Sequence, residues 1–199
     1  MEHYFIEKEH KSSDYFEFTW SYAEYNFVFK SCDDIFSKNQ VDYGTYVLIK
    51  TIHKNVELFG SVLDIGSGYG PIAITLAKLF PNATFDMSDV NKTAVELSAQ
   101  NAQKNGIKNI KNIINSNAYE NIAGKYDFIV SNPPIKVGKK TMYSILFGAY
   151  DKLNAGGKLI FVIKKKFGEA SLKKDLEKTF SSVEILARDS GYYILQATK

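Results

Sequence analysis

The chain has 199 residues, 45% of them hydrophobic, which suits one domain, or one domain with a small extension, that buries its own core without staples. Its single cysteine, Cys32, excludes an internal disulfide, and the charged opening MEHYFIEKEHKSSD carries no signal-peptide pattern, so the sequence reads as soluble and cytoplasmic. Net charge is only +3 but uneven: residues 1–60 hold six Lys and ten Asp or Glu, whereas residues 136–174 hold ten Lys against Asp151 and Glu169. A basic segment on a near-neutral chain points to a local anionic partner, with a solvated lysine face as the alternative. No apolar run reaches the length of a membrane span.

In chain order, residues 15–29 (YFEFTWSYAEYNFVF) alternate aromatic and polar. Phe16, Phe18, Trp20 and Tyr22 fall on one face and Tyr25, Phe27 and Phe29 on another, which reads as a hairpin or two short strands whose aromatics belong to the core. A helix is expected over about 42–58, with Asp42 near its start. From Ser61 strands and helices alternate: SVLDIG, then GPIAITLAKLF; ATFDMSD, then NKTAVELSAQNAQKNG; IKNII; DFIVSN, then a helix over 141–153. The loop Asn154-Ala155-Gly156-Gly157 leads into KLIFVIK, a helix EASLKKDLEKTF, and two closing strands, SVEILA and YYILQA, joined at Arg188-Asp189-Ser190-Gly191. The fold class is therefore α/β: a Rossmann-like, doubly wound, mostly parallel seven-stranded sheet with an antiparallel C-terminal hairpin, plus a small N-terminal β-rich extension. The expected organisation is one domain over 1–199, with an extension at 1–41 and the core at 42–199. In such sheets ligands sit at the carboxyl ends of the strands, near the switch point.

The first motif on that rim is VLDIGSGYGPIAI (62–74), with Gly66, Gly68 and Gly70 between a strand and a helix. Its spacing, Asp64-x-Gly-x-Gly-x-Gly, departs from the dinucleotide fingerprint, which needs a helix N-terminus free to receive a pyrophosphate. It resembles the S-adenosylmethionine loop of class I methyltransferases; a nicotinamide site or a structural turn are the rivals. Asp89 ends the second strand of this series, 19 residues after Gly70, where a carboxylate can accept both ribose hydroxyls; it can also serve as a helix N-cap. Asn117, in Asn115-Ser116-Asn117-Ala118, stands where an adenine belongs, or it satisfies loop backbone. The expected cofactor, S-adenosylmethionine, would then meet Asp64, Gly66, Ser67, Gly68, Gly70, Asp89, Val90, Asn117, Ala118 and Asn132.

The stretch YDFIVSNPPIKVGKK (126–140) ends a hydrophobic strand with Asn132-Pro133-Pro134-Ile135. Methylating an exocyclic amine requires freeing and aiming a delocalised lone pair. The Asn132 side-chain oxygen can accept one N–H and the Pro133 carbonyl the other, while the prolines fix φ and offer no competing donor. Positioning and electrostatics then suffice without a strong base. A bland turn is the alternative for the tripeptide alone. Lys136, Lys139 and Lys140 follow the motif, and Lys164, Lys165 and Lys166 end the next strand, so both clusters would meet phosphates on one rim.

With these motifs the chain resembles the ribosomal RNA small-subunit methyltransferase C family, class I enzymes that modify guanine N2. The likeness runs from about Phe27 onward, through DDIFSKNQVDYGTYVLI (33–49), SDVNKTAVELSAQNAQKN (88–105), SNAYENIAGKYDFIVSNPPIKVGK (116–139) and GYYILQA. It implies that Phe36, Ser37, Lys38 and Thr45 lie near the cofactor or the target base, with Thr45 toward the methionine carboxylate or capping a helix. The best-known members have two methyltransferase-like halves, and this chain matches the catalytic one, as in a single-domain branch. The residue after Pro-Pro is often a stacking aromatic in the family; here it is Ile135, so stacking would come from elsewhere, from Phe36 or from the aromatics of residues 15–29, whose other reading is core packing. The expected partner is ribosomal RNA or the small ribosomal subunit. Other acceptors that suit Asn-Pro-Pro are adenine N6 in RNA or DNA and a glutamine amide in protein; a non-catalytic RNA-binding module is the alternative of another class. No metal is expected, because His3, His10 and His53 have no ligand spacing with Cys32 or with paired carboxylates.

Overall fold

The computed structural model describes residues 15–33, 35, 37, 39–134 and 138–199. β1 (Tyr15–Tyr22) and β2 (Tyr25–Cys32) form an antiparallel hairpin turned at Ala23-Glu24. Phe18 stands opposite Phe29 and Trp20 opposite Phe27, so the two aromatic sets share one face instead of occupying two. Phe27 and Phe29 are buried in the core and Phe18, Trp20 and Tyr22 pack against it, which makes these aromatics structural.

α1 (Tyr43–Asn55) is capped by the Asp42 side chain and ends sooner than expected, because Val56 turns to extended backbone. There follow β3 (Ser61–Ile65), α2 (Pro71–Leu79), β4 (Thr84–Asp89), α3 (Lys92–Lys104), β5 (Ile110–Asn115), β6 (Tyr126–Ser131), α4 (Lys139–Lys152), β7 (Leu153–Lys164), a 3-10 turn (Lys165–Phe167), α5 (Glu169–Leu176), β8 (Ser182–Asp189) and β9 (Tyr192–Thr198). The seven-stranded sheet has the order β5-β4-β3-β6-β7-β9-β8; β9 runs antiparallel to both of its neighbours and the other pairings are parallel. The chain reverses its direction of travel between β3 and β6, the switch point.

Strands buried on both faces read as near-continuous apolar runs, which is how β3, β6 and β7 read. Val62, Phe128 and Ile160 meet α1, α2 and α3 on one face, while Leu63, Ile129 and Leu159 meet α4 and α5 on the other. Other boundaries differ from the sequence reading as well. α4 starts at Lys139, α5 stops at Leu176, and β7 begins at Leu153, so Asn154-Ala155-Gly156-Gly157 lies inside a strand. Leu153 pairs with Tyr126, and the register then shifts before Phe128 meets Lys158. At Gly157 a Cβ would lie 3.1 and 3.2 Å from the Tyr126 and Asp127 carbonyl oxygens, so the glycine permits the bulge rather than a loop. Among the described residues no helix is long and apolar enough to cross a membrane.

Candidate active site

The site is assembled where β3, β4 and β6 end. The β3–α2 loop is held from beneath: the Gly66 and Ser67 N–H groups donate to the Ser88 carbonyl at 2.8 and 3.0 Å. Asp64 is wholly buried, and its Oδ2 accepts the Ala73 N–H in the first turn of α2 at 3.0 Å. Burial pushes its carboxyl up to about 7, with the Ala73 N–H working in the opposite direction. Gly68 N–H donates to Asp89 Oδ2 at 2.8 Å and Asn91 N–H to Asp89 Oδ1 at 2.9 Å. Burial raises the Asp89 carboxyl as well. The N-cap of α3 is Asn91, whose side chain accepts the Thr93 N–H, so Asp89 is left as an oriented acceptor at the strand end.

This donor set decides between an adenosyl sulfonium and a pyrophosphate. α2 begins with Pro71, which has no N–H; the Ala73 N–H is taken by Asp64 and the Ile74 N–H by the Gly70 carbonyl. Asp89 stands beside the loop and Asp64 lies buried beneath it, so a phosphate would meet acceptors where it needs donors. A cationic ligand rich in donors fits instead. Asp64 Oδ1, Ser67 Oγ and Ser88 Oγ are buried without a partner among the described residues, and a Cβ at Gly66 or Gly68 would meet nothing within 4 Å. Gly70 serves the packing instead. At φ +92, with Ile74 Cδ1 2.8 Å from where a Cβ would be, it lets α2 approach closely.

Asn132 leaves β6 beside β3, and Ser131 Oγ ties the two strand ends by donating to the Ile65 carbonyl at 2.8 Å. The Asn132 amide nitrogen donates to Asp42 Oδ2 at 3.1 Å and to Thr45 Oγ1 at 2.9 Å. A carboxylate offers only acceptors, so it selects the NH₂ end of the amide and leaves Oδ1 without a fixed donor among the described residues. Asp42 Oδ2 also accepts the Thr45 N–H at 3.2 Å, which makes one carboxylate both the cap of α1 and the anchor of Asn132. Thr45 is buried in that cluster as a partner of Asn132, and the capping alternative falls to Asp42 instead. Pro133 is buried and Pro134 exposed.

The structure thus brings together Asp64, Gly66, Ser67, Gly68, Gly70, Asp89, Asn132 and Thr45. Asn117 and Ala118 lie beyond them, after β5; the Asn117 amide nitrogen donates to Glu120 Oε1 at 2.8 Å, its side-chain oxygen has no partner among the described residues, and the Val90 carbonyl accepts the Asn115 amide at 2.9 Å. Lys139 and Lys140 are exposed in the first turn of α4, and Lys165 and Lys166 are exposed after β7. Lys164 is half-buried, with Nζ 4.8 Å from the Tyr192 ring centre. Ser37 Oγ donates to the Gln40 carbonyl at 2.7 Å. Phe36, Lys38, Ile135 and Lys136 fall outside the described residues. Among the described residues no group of three or more His, Cys, Asp or Glu is placed to hold a metal. The residue that sequence reasoning missed is Asp42: its position before Y-G-T signalled a helix start, and nothing local signalled its bond to Asn132, 90 residues on.

The chain matches the methyltransferase small domain family over residues 26–196. It belongs to that family. S-adenosylmethionine is the methyl donor of the family, as the sequence led us to expect. Among curated proteins it is 42% identical over 202 residues to the uncharacterized protein YbxB of Bacillus subtilis (strain 168), covering all of this chain and 98% of that one. It is 35% identical to the ribosomal RNA small subunit methyltransferase C of Serratia proteamaculans (strain 568), over 89% of this chain and 50% of that protein. The chain therefore spans about half the length of the methyltransferase C relatives it matches. Among solved structures, the T. thermophilus 16S rRNA N2 G1207 methyltransferase (RsmC), in complex with AdoMet and guanosine, superposes with a TM-score of 0.83 at 23% identity over 93% of this chain and 50% of that one. That likeness establishes the shared fold.

Proposed function

We propose that this chain transfers the methyl group of S-adenosylmethionine to an exocyclic amine, guanine N2 of ribosomal RNA. The observation that carries the reading is the pinned Asn132 amide: with its nitrogen held by Asp42 and Thr45, its oxygen is a fixed acceptor at the switch point. The cofactor would be held by the Gly66–Gly70 loop, with Asp89 taking the ribose hydroxyls and Asn117 the adenine, and Asp64 supporting the loop through α2. When bound, it supplies a sulfonium methyl whose C–S bond breaks as the new C–N bond forms. Asn132 Oδ1 accepts one N–H of the acceptor amine and the Pro133 carbonyl the other, which turns the nitrogen lone pair out of conjugation and aims it. The surplus proton leaves to water after transfer, so no strong base is required.

Two features favour RNA as the substrate. The named relatives at 33–35% identity are ribosomal RNA methyltransferases. In addition, α4 carries Lys139 and Lys140 and no acid in its first turn, where the helix dipole disfavours cations; a phosphate partner offsets that cost. Asn132→Ala should bind S-adenosylmethionine as the parent does by calorimetry, while methyl transfer falls by roughly 10²–10³-fold, the scale of one lost transition-state hydrogen-bonding group. Unchanged transfer would remove Asn132 from the mechanism.

A further inference from the structure

Between the first turn of α4 and the 3-10 turn after β7 lies a cleft of about 430 Å³, lined by Gly138, Lys139, Met142, Lys166, Phe167 and Gly168. That volume lies in the range of small-molecule sites, roughly 300–1,000 Å³. Its floor is the buried Met142 and its wall is Phe167, one of only three large hydrophobic side chains exposed among the described residues, at 37%. Lys166 Nζ sits 5.2 Å from the Phe167 ring centre. Lys139, Lys140, Lys165 and Lys166 are all exposed, and none forms an ion pair among the described residues. A partly exposed aromatic wall among cations that are unpaired among the described residues matches a nucleobase with its phosphates on either side.

The strand order sets the relation to the chemistry. The cofactor loop and Asp89 lie over β3 and β4, Asn132 follows β6, and the cleft opens past the ends of β6 and β7, on the far side of Asn132 from the cofactor. Among the described residues Asn132 does not line the cleft, and no lining side chain is an amide or carboxylate that could accept the hydrogens of an exocyclic amine. A base seated there is therefore not the one methylated. Turning a target base out of its stack leaves the neighbouring base with one bare face, and an aromatic wall a short step away restores that contact.

We propose that this cleft is a stacking site for an unpaired nucleobase of the RNA substrate that neighbours the methylated nucleotide, with its phosphates on Lys139 and Lys166. The proposal rests on RNA being the substrate. The probe is a single-stranded RNA twelve-mer carrying one 2-aminopurine, whose fluorescence is quenched on stacking against an aromatic ring. The full chain should bind it with quenching; Phe167→Tyr should retain both, and Phe167→Ala should lose the quenching and bind about tenfold more weakly, within the range expected for one stacked base. Lys139→Gln with Lys166→Gln should flatten the salt dependence of binding by about two counterions. Thermal melts, expected within a few degrees of the parent, and unchanged S-adenosylmethionine binding serve as controls for all variants. If the parent binds RNA and Phe167→Ala binds it equally well with equal quenching, the stacking site is wrong and the RNA reading stands. If the parent binds no RNA and methylates a protein instead, both fall.

Discussion

Asp42 shows how one carboxylate can serve two elements at once. Its Oδ2 accepts the Thr45 N–H that caps α1 and the Asn132 amide that orients the proposed acceptor oxygen. The two roles separate by reach. Asp42→Ser retains a good N-cap and loses the longer arm, so the melting temperature should move by only a few degrees. Combined with Thr45→Val, which removes the second anchor, it leaves the Asn132 amide free to turn, and kcat should fall about 10²-fold with the KM for S-adenosylmethionine little changed. Kinetics of the double variant against the parent check this; an unchanged kcat would show that Asn132 needs no anchor. The sequence could display Asn132 and Asp42 separately, because Asn-Pro-Pro and a helix start are local patterns. It could not display their bond, which depends on the fold bringing the start of α1 to the end of β6.

At the scale of elements, a single buried amide joins three pieces of the fold. Asn101 on α3 accepts the Lys30 N–H at 2.7 Å and donates to the carbonyls of Lys30 and Tyr69, each at 2.9 Å, linking the N-terminal hairpin, α3 and the β3–α2 glycine loop. Asn101→Ala leaves those backbone groups without partners in the interior, which costs about 1–3 kcal/mol for each buried group lost. Because the Tyr69 carbonyl belongs to the glycine loop, the same change should also weaken S-adenosylmethionine binding; denaturant unfolding and calorimetry check the two effects, and a loss of stability with unaltered affinity would uncouple the loop from α3. Elements with strong local signals were legible here: the D-x-G-x-G-x-G loop between strand and helix, and the β8–β9 pair, whose two-residue turn uses Ser190 at φ 47 and Gly191 at φ 80. The early start of β7 was not, because Gly156-Gly157 reads as a loop and only the approach of Tyr126 and Asp127 from the next strand makes it a bulge. The shared face of the hairpin aromatics was missed for the same reason: facing is set by cross-strand register, which alternation within each strand does not specify.

Across the whole molecule, the order β5-β4-β3-β6-β7 arranges the proposed chemistry in space: adenine and ribose contacts over β5 and β4, the glycine loop at β3, the amine-aiming Asn132 at β6, and lysines past β7. The basic excess of residues 136–174 becomes the exposed lysines at one end of the rim, away from Asp89 and the glycine loop, so the proposed cationic donor and anionic substrate would approach from opposite ends. That arrangement was largely readable, since alternating strands and helices dictate a doubly wound sheet and the motifs follow strand ends. The test that bears most directly on the proposed reaction is methyl transfer from labelled S-adenosylmethionine to ribosomal RNA, assembled small subunits and a protein extract, followed by nucleoside digestion. We predict label in N2-methylguanosine; label in N6-methyladenosine or in a protein glutamine would contradict the assigned acceptor, and cofactor binding with no label in any of these substrates would contradict the assignment of a ribosomal RNA methyltransferase.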